Sequence, residues 1–118
     1  MKNILKEACV ETYEQAILAQ KNGANRIELC GDLSVGGITP DFQLTQRLLE
    51  ELTIPIRVMV RPRGGNFVYA EKELEEMKST ILTFKKMGIE GVVFGILNKN
   101  KTINLAETQA LVLSLIHI

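Results

Sequence analysis

The sequence predicts an α/β protein made of parallel (β/α) units, the N-terminal half of a TIM-type (β/α)8 barrel. Segments typical of strands and helices alternate through four units, which indicates a parallel sheet with crossover helices. Alternate positions of three predicted strands carry charged or thiol side chains, which indicates one polar sheet face. The 118 residues are half of the roughly 250 that a complete barrel needs.

Composition is typical of one globular domain and excludes several function classes. Apolar residues make up 46% and charged residues 24%, and the net charge is zero. A neutral chain gives no electrostatic reason to expect nucleic acid as a partner. No apolar run approaches the roughly 20 residues of a membrane span, so we expect no membrane partner. The first ten residues lack a secretory pattern, which predicts a cytoplasmic protein whose two cysteines stay reduced.

The first unit is predicted from a strand at Ile4–Val10 and the helix that follows it. Thr12 with Gln15 three residues later resembles a capping box. The apolar face of this helix contains Tyr13, Ala16 and Ile17, and Gly23 ends it. The second strand spans Asn25–Cys30.

The second helix is predicted to start at Thr39-Pro40, a cap residue followed by proline at the first helical position. It extends to about Leu52, and Leu44, Leu48 and Leu52 share one face. The third strand, Ile54–Val60, is rich in apolar and β-branched residues.

The third helix has the clearest periodicity in the chain, with Leu74, Met77, Ile81 and Phe84 on one face and Gly88 at its end. The fourth strand, Gly91–Leu97, is almost wholly apolar, as buried parallel strands are. Asn104 and Glu107 resemble a capping box that begins a fourth helix.

The pattern of side chains on the strands favours a barrel over an open doubly wound sheet. Glu7 shares strand parity with Cys9, and Glu28 shares it with Cys30. Arg57, Met59, Arg61 and Arg63 share parity on the third strand, although Pro62 interrupts the alternation before Arg63. A face with these charges does not pack against helices, whereas polar residues do meet at the mouth of a barrel.

The loop after the third strand has the sequence Arg-Pro-Arg-Gly-Gly-Asn and predicts an anion site. Its candidate anion or substrate ligands are Arg61, Arg63, Gly64, Gly65 and Asn66. Guanidinium groups fit carboxylate and phosphate, and two glycines allow backbone N–H groups to approach an anion. We therefore expect phosphate or sulfate to bind here. The alternative is a turn whose arginines are structural ion-pair partners.

Four segments resemble the copper homeostasis protein CutC family. They are KEACVET (6–12), GANRIELCGDLSVGGITP (23–40), VRPRGGNFVY (60–69) and GVVFGIL (91–97). The resemblance implies a cytosolic β/α barrel about twice this length, commonly a homo-oligomer. It also implies that Cys9 and Cys30 are copper ligands, and soft thiolates do suit Cu(I). The alternative is that both cysteines fill the core, as free cysteines often do.

Two functions from different classes follow. The first is Cu(I) binding in copper homeostasis. The second is a TIM-barrel enzyme for a small anionic metabolite, with Arg61 and Arg63 on the anion and Glu7 or Glu28 as catalytic acid or base. Glu7 and Glu28 have the alternative role of ion-pair partners.

We expect residues 1–112 to form the half barrel and residues 113–118 to be a non-native tail. The final residues, LSLIHI, resemble a translated sequencing adaptor and contain no glycine or proline stop. The alternative is a native fourth helix that is apolar throughout.

Overall fold

A computed structural model describes residues 4–116, and side-chain burial is described for residues 4–115. Four strands alternate with four helices: β1 (Glu7–Val10), α1 (Tyr13–Lys21), β2 (Arg26–Leu29), α2 (Phe42–Glu51), β3 (Ile56–Met59), α3 (Glu71–Met87), β4 (Gly91–Val93) and α4 (Leu105–Ile116). A 3₁₀ turn, Leu33–Val35, lies in the loop between β2 and α2. The strands are shorter than the sequence predicts, most of all β4.

The described strands form one parallel sheet in the order β1-β2-β3-β4. Doubly wound sheets have a strand order that reverses from the middle, whereas barrels add each strand beside the one before it. The consecutive order therefore confirms the barrel-type arrangement. Within the described part of the chain, no helix is long and apolar enough to cross a membrane.

The two faces of the sheet differ as the strand parity predicts. Ile27, Leu29, Ile56 and Val58 are buried on the helix-covered face, where they pack with Met77, Ile81 and Phe84 of α3. The opposite face carries the polar residues of the same strands. Because this face is not covered by helices, its charged side chains remain half-exposed.

Hydrogen bonds at the helix starts confirm one predicted cap and correct another. Thr12 Oγ1 accepts the N–H of Gln15 at 3.1 Å, as predicted. The cap of α2 is Asp41, not Thr39, because the Asp41 carboxylate accepts the N–H of Leu44. Thr39 instead exchanges two hydrogen bonds with the backbone of Arg61, which join the β2–α2 loop to the end of β3.

The start of α4 also agrees with the sequence, since Asn104 Oδ1 accepts the N–H of Glu107 at 3.1 Å. The helix is continuous across residue 112, and the part that the structure describes is Leu105–Ile116. The proposed change to a non-native tail at residue 113 stays a prediction, and residues 117–118 of that tail lie outside the described residues.

Candidate metal site at the carboxyl ends of the strands

Two thiols and one carboxylate meet where β1 and β2 end. The Sγ atoms of Cys9 and Cys30 are 3.8 Å apart, and the Cys30 thiol lies 3.7 Å from Glu28 Oε1. One ligand atom from each of the three residues lies within 4.8 Å of the other two. These groups are of the kinds that bind metal ions in proteins.

The register of β1 and β2 explains why these three side chains are neighbours. Cys9 pairs with Glu28 across β1 and β2, and the backbone N–H of Cys30 donates to the carbonyl of Val10 at 2.9 Å. Since Cys9, Glu28 and Cys30 have the same parity, their side chains project from one face of the sheet. Two residues that are 21 positions apart thus become neighbours.

The two thiols have different surroundings. Cys9 is exposed and Cys30 is buried. Burial raises the pKa of the Cys30 thiol well above its ordinary value, and the neighbouring Cys9 and Glu28 raise it further. Since metals bind thiolates, an ion at this site must displace the Cys30 proton.

The structure separates the two candidate catalytic carboxylates. Glu28 lies beside the thiols, whereas Glu7 lies at the start of β1 and pairs with Arg26 at 2.7 Å. Arg57 pairs similarly with Glu90 at 3.0 Å. Glu7 therefore belongs to a row of ion pairs at the amino ends of the strands, away from the thiol cluster.

Arg61 is 7% exposed and joins two loops. Its Nη1 donates to the carbonyls of Val35 and Gly37, and its Nη2 donates to the carbonyl of Gly65. The Phe67 ring lies 4.6 Å from the guanidinium carbon. Arg61 thus fastens the β2–α2 loop to the β3–α3 loop, and its buried Nε has no partner among the described residues.

Arg63 binds the carboxylate of Glu73 through Nε at 2.7 Å and Nη2 at 3.3 Å. It also donates to the carbonyls of Gly64, Asn66 and Val68. The Arg63–Glu73 pair is thus an ion pair of the kind that the structural alternative describes, whereas Arg61 donates to backbone carbonyls. An anion at Arg63 would have to replace these partners.

The match to protein families agrees with the segments noted in the sequence. The model of the CutC family matches residues 4–115. This chain belongs to the CutC family. Among curated CutC proteins, one from Glaesserella parasuis is 45% identical over 106 residues, which are 90% of this chain and 44% of that protein. The human "copper homeostasis protein cutC homolog" is 46% identical over 96 residues, 81% of this chain and 35% of that protein.

A solved CutC structure confirms the fold class. The crystal structure from Streptococcus agalactiae, a TIM-type barrel, superposes with a TM-score of 0.89 at 35% identity. The match covers 98% of this chain and 57% of that one. The CutC-family chain therefore has the curvature of part of a TIM-type barrel, and it spans less than half the length of the two curated relatives.

One contact at the candidate site of this CutC-family chain could not be recognised from the sequence. A Cβ added to Gly37 would lie 3.4 Å from both Cys30 Sγ and Cys30 Cβ. Gly37 also has φ +95°, a conformation that favours glycine. A methyl group at position 37 would therefore lie in van der Waals contact with the buried thiol. The only sequence signal is the Gly36-Gly37 pair.

Proposed function

We propose that this CutC-family chain binds Cu(I) through Cys9 and Cys30 and thereby serves copper homeostasis. The observation that carries the proposal is the 3.8 Å separation of the two Sγ atoms. With metal–sulfur bonds of about 2.3 Å, the length typical of zinc thiolates, one ion can contact two sulfurs at that separation. Two soft thiolate donors are a donor set that favours Cu(I) over harder cations.

Names of relatives support the copper assignment, since the human relative is called a copper homeostasis protein homolog. Glu28 lies close enough to act as a third metal ligand, through a carboxylate oxygen, or to accept a hydrogen bond from a bound ligand. Thiolate chemistry of this kind requires reduced cysteines, which favours a cytoplasmic location.

The test is a Cu(I) titration of the reduced chain, without oxygen, against a chromogenic Cu(I) chelator. We expect about one ion per chain for the native sequence, since two thiolates form one site. The Cys9→Ala, Cys30→Ala double variant should retain none. Glu7→Gln is the matched control, because it changes the same sheet face away from the thiols. Equal copper retention by the double variant and the native chain would contradict the proposal.

We propose a second function, recognition of a small anionic metabolite, because of one property of Arg61. Four of the five arginines pair with a carboxylate, whereas Arg61, with only 7% exposure, has no such partner among the described residues. A buried charge without a counter-ion is costly. Its Nε and the buried Tyr69 hydroxyl both lack hydrogen-bond partners.

Inorganic phosphate is the probe for this second function. Bound phosphate should shift the NMR signal of Arg61 Nε–H, because this buried donor has no partner in the part of the chain that the structure describes. The Nε–H signal of Arg47, which lies on the exposed surface of α2, is the control and should not move. If phosphate causes equal shifts at both arginines, binding is nonspecific and the second function is wrong.

A further inference from the structure

The register of β1 and β2 places Cys9 and Cys30 diagonally across the two strands. The residue directly opposite Cys9 is Glu28, and Cys30 follows two positions later, just beyond the last residue of β2. The N–H of Cys30 donates to the carbonyl of Val10 at 2.9 Å, which holds Cys30 at this offset. Parallel strands lie about 4.8 Å apart and rise about 3.3 Å per residue, so two Cα atoms in this diagonal relation are roughly 8 Å apart.

This diagonal separation suits a metal ion better than a disulfide bond. Disulfides join residues whose Cα atoms are usually about 4.4–6.8 Å apart, with the two sulfurs bonded at about 2.05 Å. The Sγ atoms of Cys9 and Cys30 are 3.8 Å apart, which leaves room for an ion between them. Joining the sulfurs directly would require β1 and β2 to approach each other or to slip along each other.

The surroundings of β2 resist such a movement. β2 pairs with β1 on one side and with β3 on the other, so a slip would break ladder hydrogen bonds. Its residues Ile27 and Leu29 are fully buried in the core beneath the helices, where close packing opposes displacement. Immediately after Cys30, Gly31 exchanges two backbone hydrogen bonds with Ile38, at 2.7 and 2.8 Å. All of these contacts lie within the first three β/α units.

We propose that the fold maintains Cys9 and Cys30 as a dithiol that accepts an ion between its sulfurs but resists closing to a disulfide. Closing would form one S–S bond and transfer two electrons and two protons to an oxidant. A low-molecular-weight disulfide is such an oxidant, and it would leave as two thiols. Strain in the folded chain disfavours the protein disulfide, and strained disulfides are the ones that are easily reduced.

The resistance to oxidation concerns the thiols alone, whereas its value to a copper site rests on the proposed function. A Cu(I) site made of two thiolates is lost when its sulfurs form a bond with each other, because the thiolate is the metal ligand. A pair that stays reduced keeps both donors available when the surrounding thiol pool becomes more oxidised.

Equilibration with reduced and oxidised dithiothreitol tests the proposal on the metal-free 118-residue chain, in buffer and in concentrated urea. Alkylation and mass spectrometry give the fraction of chains with a Cys9–Cys30 bond, and hence its equilibrium constant. We expect a constant about tenfold or more lower in buffer than in urea, because only the folded sheet imposes strain. A disulfide that fits the fold would instead be favoured in buffer by about a hundredfold. An equal or higher constant in buffer would overturn the proposal.

A double variant tests the role of the register. Glu28→Cys with Cys30→Ala places the second thiol directly opposite Cys9. The two Cα atoms are then about 4.8 Å apart, which is within the range of disulfides. We expect the constant of this variant in buffer to exceed that of the native chain by about tenfold or more, and matching constants would overturn the proposal. Because none of these measurements contains copper, the proposed copper function and this inference can fail independently.

Discussion

The Sγ atoms of Cys9 and Cys30 lie 3.8 Å apart, although 21 positions separate the two residues in the chain. The meeting depends on β1 and β2 being adjacent and parallel, with both residues on the same face. A shift of one residue in register would move one of the thiols to the other face. The pair is therefore a property of the sheet rather than of a local motif.

Glu28 should strengthen metal binding at this pair, whereas Glu7 should not. Glu28→Gln removes the charge beside the Cys30 thiol, and we expect Cu(I) affinity to fall about tenfold or more, as for residues that support metal ligands. Glu7→Gln should leave it unchanged, because Glu7 pairs with Arg26. Competition with a Cu(I) chelator measures the affinity of both variants. An equal loss of affinity in the two would show that Glu28 acts only through net charge.

Gly37→Ala should disturb the thiol site, and Gly23→Ala provides the matched control. Both glycines have nearly equal positive φ, +95° and +94°. Alanine at either position should therefore cost about 1–2 kcal/mol of backbone strain. Only at position 37 does the new methyl group contact Cys30, since the space around Gly23 is empty. We expect slower reaction of Cys30 with a thiol reagent in Gly37→Ala alone. Equal thiol reactivity in both variants would rule out the contact.

Arg61→Ala should destabilise the fold by about 3 kcal/mol or more, because it leaves three carbonyl groups without their charged donor. Arg47→Ala should cost less than about 1 kcal/mol, since Arg47 pairs with Glu51 on an exposed helix surface. Urea unfolding of both variants at neutral pH measures the difference. A loss below 1 kcal/mol for Arg61→Ala would show that the two loops do not need this link.

Stability should fall in acid partly through Glu73. The N–H of Ala70 and the guanidinium of Arg63 lower the pKa of Glu73 below its ordinary 4.5. A carboxyl group with a lower pKa in the folded state stabilises the fold above its unfolded pKa. That contribution is lost as pH falls through the folded pKa.

Between pH 7 and pH 3, the free energy of unfolding should fall less for Glu73→Gln than for the native chain. Glu75→Gln, an exposed change on the same helix, controls for the loss of one carboxylate. Urea unfolding across this range gives the comparison. Identical acid sensitivity of Glu73→Gln and the native chain would contradict the assignment.

Local patterns were sufficient to predict the order of elements and the two sheet faces. Alternation along β1 and β2 correctly grouped Cys9 with Glu7 and Cys30 with Glu28, because strand parity is a local property. The alternation did not predict that Glu28 lies beside the thiols while Glu7 lies away from them. That separation depends on Arg26 lying directly opposite Glu7.

Long-range partners explain why the predicted cap at Thr39 was wrong and why the sequence left the role of Arg63 open. Thr39 and Asp41 are both good helix caps, and the choice of Asp41 depends on Thr39 bonding Arg61, 22 positions later. Arg63 fits an anion site in the sequence, yet in the fold its donors face Glu73 and loop carbonyls. Neither partner can be identified from spacing alone.

The consecutive strand order has a consequence for how the chain reaches its fold. Each described strand after β1 pairs with the strand just before it, so none of these pairings closes a loop longer than one β/α unit. The entropy lost on closing a loop rises with its length, and pairings between distant segments slow folding. This sheet can therefore grow one strand at a time in the order of synthesis, because each new β/α unit adds its strand to an edge that is already present.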